Sequence, residues 1–275
     1  MSASFNKPRT APPRSNGDSL TDLVNLNLYP LHDPDYRTRS KEVLDRNGVL
    51  VLPNFLTENA IASVAREGVE NQHLAYYTVS DHNAYLKPAD ESLDENHPRN
   101  RNVSSSKGCI TTDQIPQGSA LHTLYESESM KDFLCAVLGE ASLYEYADSL
   151  SSINLHYAAE GQELGWHFDN SSFAITLLIQ SPVDGGRFEY VKDVRNADNG
   201  EMSYERVGNI LDGNEPVQQL QMDAGTLVLF RGRNSIHRVT PTIGDTTRML
   251  VVLAYNTEPG IALSESARMT FYGRL

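Results

Sequence analysis

Cysteine is scarce in this sequence, with only Cys109 and Cys135 among 275 residues. Two cysteines cannot build the disulfide framework of a small secreted protein or a zinc site of four cysteines. The sequence also lacks an apolar run near the roughly 20 residues of a membrane-spanning helix, and it has no apolar segment typical of a secretory signal. We therefore expect a protein of the cytoplasm, where thiols stay reduced.

Basic residues are also few, because 23 Lys and Arg stand against 36 Asp and Glu, a formal net charge of −13. Proteins that bind nucleic acids or anionic lipid surfaces use clustered cations to contact phosphates. The composition therefore argues against nucleic-acid and membrane partners. Hydrophobic residues make up 39% of the chain, which is enough for a sizeable core. The oligomeric state is open, with a homodimer as one alternative.

The chain divides by composition into a tail and one domain. Residues 1–20 are rich in Ser, Pro, Asn and Arg and lack hydrophobic periodicity, which predicts a flexible tail. A targeting peptide is the alternative, although two adjacent prolines oppose an amphipathic helix there. Residues 21–275 are predicted to form a single domain, with a helical layer and a substrate loop in 21–140 and a strand-rich core in 141–275.

The first half of this domain has helical patterns. Apolar spacing and capping residues predict three helices over 37–47, 58–72 and 121–138, and the β-branched segment 49–52 predicts a short strand. Residues 78–117 are polar and show no periodicity. We predict that they form a long irregular loop, of the kind that closes over a substrate.

The second half has the pattern of short strands separated by turn sequences. The predicted strands are 153–157, 174–180, 186–190, 216–221, 226–230, 236–239 and 247–255. Many short strands at this spacing are typical of a sandwich or a barrel. The predicted fold class is therefore α+β, with a double-stranded β-helix (jelly roll) core and the N-terminal helices packed on one of its sheets.

Three residues of the strand-rich half have the chemistry of a metal site. His167 and Asp169 are two positions apart, so both face the same side of a strand. His237, in a later strand, is the best candidate for a third ligand. Two histidines and one carboxylate on one face of a metal form the facial triad of non-haem Fe(II) oxygenases, which leaves positions open for a chelating cosubstrate and O₂. Arg248 can bind the far carboxylate of a ketoacid through a bidentate ion pair.

The sequence around these residues carries a family resemblance. His167 to Asp169 come first, Asp223–Phe230 then leads into His237, and Arg248 follows. In this order and context, residues 143–260 resemble the Fe(II)- and 2-oxoglutarate-dependent dioxygenases. The resemblance implies Fe(II), 2-oxoglutarate and O₂ as cofactors. It assigns catalysis and metal binding to the two histidines and the aspartate, and cosubstrate binding to the arginine.

Two short segments, Gly165–Asp169 and Phe271–Arg274, are similar to the free-amino-acid halogenase and hydroxylase group of this superfamily. The radical halogenases of the group carry Gly or Ala in place of the facial carboxylate, which opens a site for halide. Here Asp169 occupies that position. The resemblance therefore implies hydroxylation of an unactivated C–H bond in a small polar substrate, such as a free amino acid or a derivative, with succinate and CO₂ as co-products.

Further site residues are predicted with less support from a pattern. Asn154 and His156 share one face of the strand before the ligand segment, and at least one is expected to bind 2-oxoglutarate or to support a metal ligand. Four residues are predicted substrate contacts: Arg99, as a carboxylate clamp, Asn170, Asn256 and Tyr272. Several basic-amino-acid enzymes of the group use acidic pocket residues, and the Asn that follows the facial carboxylate argues against a lysine-like substrate.

Alternative functions stay open on the sequence alone. Desaturation, cyclisation or epimerisation in natural-product biosynthesis would use the same cofactors, because the pocket decides the fate of a substrate radical. A jelly-roll binding module without catalysis is disfavoured by the complete triad. A protein or peptide hydroxylase is disfavoured by the long polar loop, which fits closure over a small molecule.

Overall fold

The computed structural model describes residues 19–275. The predicted tail, residues 1–20, lies outside the described residues except for its last two. Within 19–275 the helices are α1 Leu20–Leu23, α2 Pro34–Asn47, α3 Glu58–Asn71, α4 Ala120–Glu126, α5 Glu128–Leu138, α6 Tyr204–Leu211 and α7 Glu265–Tyr272. The strands are β1 Val49–Leu52, β2 Tyr76–Asn83, β3 Asn102–Ile110, β4 Ile153–Ala158, β5 Leu164–His167, β6 Ala174–Gln180, β7 Asp184–Gly185, β8 Phe188–Val191, β9 Gln218–Leu220, β10 Leu227–Phe230, β11 Ile236–Val239, β12 Thr242–Ile243 and β13 Arg248–Leu253. No helix in this range has the length and apolarity needed to cross a bilayer.

Eleven strands form one curled antiparallel sheet in the order β1-β10-β6-β13-β4-β3-β5-β11-β8-β9, with β2 paired to β3. Strand β3 produces the curl, because residues 108–110 pair with β4 while Ser105 pairs with Leu164 of β5. The sheet thus has two layers, β1-β10-β6-β13-β4 and β5-β11-β8-β9. This half-barrel is consistent with a jelly-roll core, and the predicted fold class is confirmed.

The N-terminal helices cover the outer face of the first layer. Leu44 of α2, Val64 of α3 and Leu124 of α4 share one core cluster with Leu155 of β4 and Val251 of β13. Since side chains alternate along a strand, the neighbours of these two strand residues point the other way, into the space between the layers. The packing of helices on one sheet was predicted correctly, and it leaves the opposite face of that sheet free to line a cavity.

Helix α3 approaches the sheet most closely at Gly68. A Cβ atom there would lie 2.8 Å from Sδ of Met249 and 3.1 Å from Cδ2 of Leu155. Gly68→Val is expected to lower the free energy of unfolding by about 1–3 kcal/mol, because added methyl groups overpack this contact. Urea denaturation measures the loss. Ala62→Val, on the exposed face of α3, is the control, and an equal or larger loss there would contradict the packing argument.

The prediction of one long loop over residues 78–117 was wrong. Most of that range belongs to the paired strands β2 and β3, and only residues 84–101 between them are irregular before the chain turns at 111. Apolar alternation is missing because both strands are rich in Ser, Asn and other polar residues, and much of β2 is exposed. Side chains that face water or a polar cavity give no period-two hydrophobic pattern.

The predicted helix 121–138 is two helices, α4 and α5, separated by Ser127. That residue has extended backbone dihedral angles, and its side chain accepts a hydrogen bond from the N–H of Met130 at 3.3 Å. Serine offers this capping bond in competition with a continuous helix. Helices α6 and α7 were not predicted, and α7 proves relevant to the site.

Candidate active site

Strand pairing brings the two predicted histidine ligands together. β5 and β11 are antiparallel neighbours in which His167 lies directly opposite His237, and their ring centroids are 4.2 Å apart. Asp169 follows the end of β5, and its Oδ1 lies 3.8 Å from Nε2 of His167 and 3.5 Å from Nε2 of His237. One ligand atom from each of the three residues lies within 4.8 Å of the other two.

Backbone carbonyls orient both imidazole rings. Nδ1 of His167 lies 2.8 Å from the carbonyl oxygen of Gly165, and Nδ1 of His237 lies 3.1 Å from that of Ser235. A carbonyl only accepts, so each Nδ1 carries the proton and donates, and each Nε2 presents a lone pair to the shared space. Burial, together with the neighbouring His237, lowers the pKa of His167 to about 3. The ring is therefore neutral at physiological pH, as a metal ligand must be.

The carboxylate of Asp169 has an atom that the protein leaves unsatisfied. Its Oδ2 is buried and has no hydrogen-bond partner. Burial raises the pKa of Asp169, but neighbouring groups, the cationic Arg195 among them, lower it by more, so the group stays ionised. An ionised carboxylate that is buried and incompletely hydrogen-bonded is costly, and a divalent cation bound by the three ligand residues would offset that cost. Two imidazole nitrogens and one carboxylate oxygen on one face fit Fe(II).

Gly232 leaves the space that the Asp169 carboxylate occupies. A Cβ atom at position 232 would overlap Oδ2 of Asp169, while the N–H of Asp169 donates to the Gly232 carbonyl at 3.1 Å. Gly232→Ala is expected to displace the carboxylate and weaken metal binding about 10–100-fold, the usual cost of disturbing a group that supports a ligand. Titration with Co(II), followed by visible absorption, measures the change. Gly118→Ala, whose Cβ would meet nothing within 4 Å, should bind like the wild type, and unchanged affinity in Gly232→Ala would contradict this role.

A cavity of about 270 Å³ lies between the two layers, beside the triad. Apolar side chains such as Phe188, Val228 and Leu250 form much of its wall. Arg248 of β13 also lines it, although only 6% of this residue is exposed. Burial alone lowers the pKa of Arg248 to about 10, so the guanidinium stays charged, and no charged side chain in the described part of the chain neutralises it. An anion is the missing partner.

Lys107 of β3 is a second basic residue at this cavity, and no sequence pattern predicted it. Its Nζ lies 3.3 Å from each ring nitrogen of His156. Burial lowers the pKa of Lys107. Burial, Lys107 and Arg248 hold the pKa of His156 well below its usual range, so that ring is neutral. With two basic side chains facing it, the cavity is suited to a dicarboxylate.

A larger outer cavity, of about 950 Å³, begins where the inner one ends. Lys107, Leu164 and His167 line both. The outer walls are β2, the segment 86–89 that follows it, and Thr270 with Phe271 of α7. Thr78 and Lys107, like Ser80 and Ser105, are directly opposed across β2 and β3, and opposed residues share a face. A row of hydroxyl groups therefore leads towards the metal ligands.

Two predicted site residues form an internal anchor instead of lining a cavity. The hydroxyl of Tyr272 donates to Oδ1 of Asn154 at 2.9 Å, and Nδ2 of Asn154 donates to the Leu150 carbonyl at 2.8 Å. Both residues are buried. Since Tyr272 points into the protein, the neighbouring Phe271 is the aromatic residue of α7 that faces the outer cavity.

The other three predicted substrate contacts also lie outside the two cavities. Arg99 donates to the carbonyl of Pro88 at 2.9 Å. Asn170 is exposed and does not line either cavity, although Ser171 and Phe173 after it line the inner one. Asn256 forms an isolated backbone bridge with Tyr144. The structure therefore brings the triad, Arg248 and His156 together. Arg99, Asn170 and Asn256 lie outside that group.

Comparisons with known proteins agree with this geometry. A family model described as Halogenase D matches residues 32–269. Comparison with curated protein sequences found no match. Among solved structures the chain is similar to the carbocyclase SnoK of nogalamycin biosynthesis, at 13% identity, 95% and 96% coverage of this and that chain, and a TM-score of 0.57. It is also similar to the epimerase SnoN of the same pathway, at 15% identity, 81% and 84% coverage, and a TM-score of 0.56. A 2OG-Fe(II) oxygenase from Burkholderia pseudomallei gives 13% identity, 82% and 92% coverage, and a TM-score of 0.51.

At such identities the structural likeness establishes the fold, which is the one expected from the sequence. The family match extends over most of the chain, and the His–Asp–His triad is assembled. The superfamily predicted from the sequence and its cofactors, Fe(II), 2-oxoglutarate and O₂, are thereby confirmed. The chain belongs to the Halogenase D family, within the Fe(II)- and 2-oxoglutarate-dependent oxygenases.

Proposed function

We propose that the protein hydroxylates an unactivated C–H bond of a small polar molecule, a free amino acid or a derivative, while 2-oxoglutarate is converted to succinate and CO₂. The observation that carries this proposal is the carboxylate of Asp169, whose Oδ1 lies within 3.8 Å of Nε2 of both histidines. It occupies the metal position that the halogenases of this group, by the resemblance above, keep open for halide.

The inner cavity supplies the residues for the cosubstrate. Arg248 binds the far carboxylate of 2-oxoglutarate. Lys107 and the neutral His156 face the carbon chain of 2-oxoglutarate, between that carboxylate and the metal ligands. The apolar wall excludes water, which strengthens these charged contacts. When bound, Fe(II) supplies the redox centre at which O₂ and 2-oxoglutarate together yield the oxidant. The role of the protein is to hold the reacting atoms in place and to exclude competing reactions.

The outer cavity is the proposed substrate chamber. It reaches His167, so a molecule bound there would lie next to the metal. Its wall carries the hydroxyl groups of Thr78 and Ser80, which support a polar substrate, and the ring of Phe271, which supports an apolar stem. These three residues replace Arg99, Asn170, Asn256 and Tyr272 as our proposed substrate contacts.

Halogenation is the second candidate function, because the matching family is described as Halogenase D. It would require halide to displace the carboxylate of Asp169 from the metal. The test is aerobic incubation of the protein with Fe(II), 2-oxoglutarate, chloride and the proteinogenic amino acids, followed by mass spectrometry.

The products separate the candidates. Gain of one oxygen by a panel member is expected, whereas chlorine in place of hydrogen would favour halogenation and loss of two hydrogens would favour desaturation. Succinate formation with no altered panel member would contradict a proteinogenic amino acid as substrate. The His167→Ala variant should form no succinate and serves as the control.

A further inference from the structure

A buried arginine lies directly behind the facial carboxylate. Arg195, in the segment between β8 and α6, is 9% exposed. Its guanidinium carbon lies 4.1 Å from the ring centroid of Phe168. Nη2 donates to the backbone carbonyl of Asp169 at 3.5 Å, and Nε donates to that of Arg233 at 2.8 Å. One side chain therefore contacts both the segment after β5, which carries Asp169, and the segment before β11, which leads into His237.

Backbone hydrogen bonds close the arrangement around this side chain. The N–H groups of Val194 and Arg195 both donate to the carbonyl of Asn234, at 2.9 and 3.2 Å. The N–H of Asp169 donates to the carbonyl of Gly232 at 3.1 Å. The backbone N–H of Asp169 is thus bound by the segment before β11, and its backbone carbonyl is bound by Arg195.

The charge of Arg195 is not used for an ordinary ion pair. No carboxylate lies within ion-pair distance of it in the part of the chain that the structure describes, and the nearby Asp198 is paired with Arg233 at 2.7 Å. Burial of an unpaired guanidinium is costly, although stacking on an aromatic ring and donation to carbonyls offset part of that cost. The burial of Arg195 is explained by its hydrogen bond to the backbone carbonyl of the metal ligand Asp169.

We propose that Arg195 is a positioning residue of the metal site, which fixes the Asp169 peptide against the segment before His237 so that the three ligand atoms converge. The proposal rests on the triad as the metal site of the proposed function. It concerns no substrate contact, and it predicts that the geometry of the arginine fork is required as well as its charge.

The test is Co(II) binding to the metal-free protein, followed by the visible ligand-field spectrum. Arg195→Met, which keeps the length of the side chain and removes the charge and the donors, is expected to weaken Co(II) binding about 10–100-fold. Arg195→Lys keeps the charge but cannot donate to both carbonyls, and we expect intermediate affinity with an altered spectrum.

Arg238→Met is the matched control. Arg238 also stacks on an aromatic ring of the ligand segment, with its guanidinium carbon 4.8 Å from the Trp166 centroid. Its side chain pairs with Glu189 at 2.8 Å, and within residues 19–275 it donates no hydrogen bond to the backbone of a ligand residue. It should bind Co(II) like the wild type, and circular dichroism and thermal melting of each metal-free variant report its folding.

The outcomes are distinct. Weaker binding in Arg195→Met with wild-type binding in Arg238→Met supports the proposal, whereas wild-type affinity in Arg195→Met overturns it. If Arg195→Met does not fold, Arg195→Lys decides, and wild-type affinity and spectrum in that variant overturn the proposal. A wild-type protein that binds Co(II) no better than His167→Ala would instead remove the metal site itself, and the proposed function with it.

Discussion

Replacing Asp169 by glycine is expected to abolish hydroxylation and to make metal binding depend on chloride. Loss of a group that supports a metal ligand weakens metal binding up to about 100-fold. Loss of the ligand itself should weaken Fe(II) binding by more than that. The variant also loses the buried, unpartnered Oδ2 and leaves an open space next to Gly232. Chloride can enter that space and replace the missing negative charge. The wild type, in which the carboxylate fills the position, should show no response to chloride.

Anaerobic Fe(II) titration in the presence of 2-oxoglutarate, with and without chloride, measures this difference by visible absorbance. Sodium gluconate at equal ionic strength separates chloride binding from screening. Asp198→Gly removes an exposed aspartate that pairs with Arg233, and this variant should behave like the wild type. No chloride dependence in Asp169→Gly would contradict the assignment of Asp169 to the halide position. Chloride dependence in the wild type would contradict the view that the carboxylate fills this position, and it would reopen halogenation.

The triad could be predicted because its chemistry is visible over a short range. His167 and Asp169 are two residues apart in a strand-like segment, and His237 is the one histidine that follows them in the sequence. The direct opposition of His167 and His237 across β5 and β11 supplies what the sequence lacked, the register that places them on one metal.

Lys107 could not be found in the same way. It lies in a polar segment without alternation, which is the pattern of a loop, and its role depends on the pairing of β3 with a distant strand. β3 pairs with β4 so that Cys109 opposes His156, and Lys107, two residues earlier on the same face, reaches the histidine diagonally. Pairing between distant segments carries no local signal, so a cation on a polar strand was indistinguishable from a solvated one.

The C-terminal segment shows a second kind of limit. The similarity of residues 271–274 to the halogenase and hydroxylase group indicated that this segment belongs to the site. Tyr272 was the predicted substrate contact in it. The segment is the end of helix α7, in which adjacent side chains point about 100° apart. Tyr272 therefore points to Asn154 in the interior while Phe271 faces the outer cavity. A motif locates a segment, but the docking of the helix decides which of its residues faces the substrate.

Arg248→Met is expected to weaken 2-oxoglutarate binding by about 30-fold to several thousand-fold. Removing one partner of a buried, hydrogen-bonded charge pair costs about 2–5 kcal/mol, and each 1.4 kcal/mol is about tenfold in affinity. The cost falls in this range because the guanidinium is buried and has no other charged partner in the described residues. Gly186 leaves room for the side chain, since a Cβ there would lie 2.8 Å from Cδ of Arg248.

Anaerobic titration of the Fe(II) protein with 2-oxoglutarate gives the dissociation constant directly, without a substrate. Arg248→Lys keeps a cation but loses the bidentate fork, and we expect it to recover part of the affinity. Arg206→Met removes an arginine paired with Glu215 at 2.6 Å outside both cavities, and it should bind 2-oxoglutarate like the wild type. Wild-type affinity in Arg248→Met would remove the cosubstrate assignment.

Lys107→Met tests which of the two basic residues is the main anchor. Burial lowers the pKa of Lys107, whereas the pKa of Arg248, at about 10, keeps that group charged throughout the physiological range. Lys107 also lines both cavities, while Arg248 lines only the inner one. We therefore expect Lys107→Met to weaken 2-oxoglutarate binding less than Arg248→Met does. A larger loss in Lys107→Met would exchange the two roles, because it would place the far carboxylate at the junction of the cavities and leave Arg248 as a secondary contact.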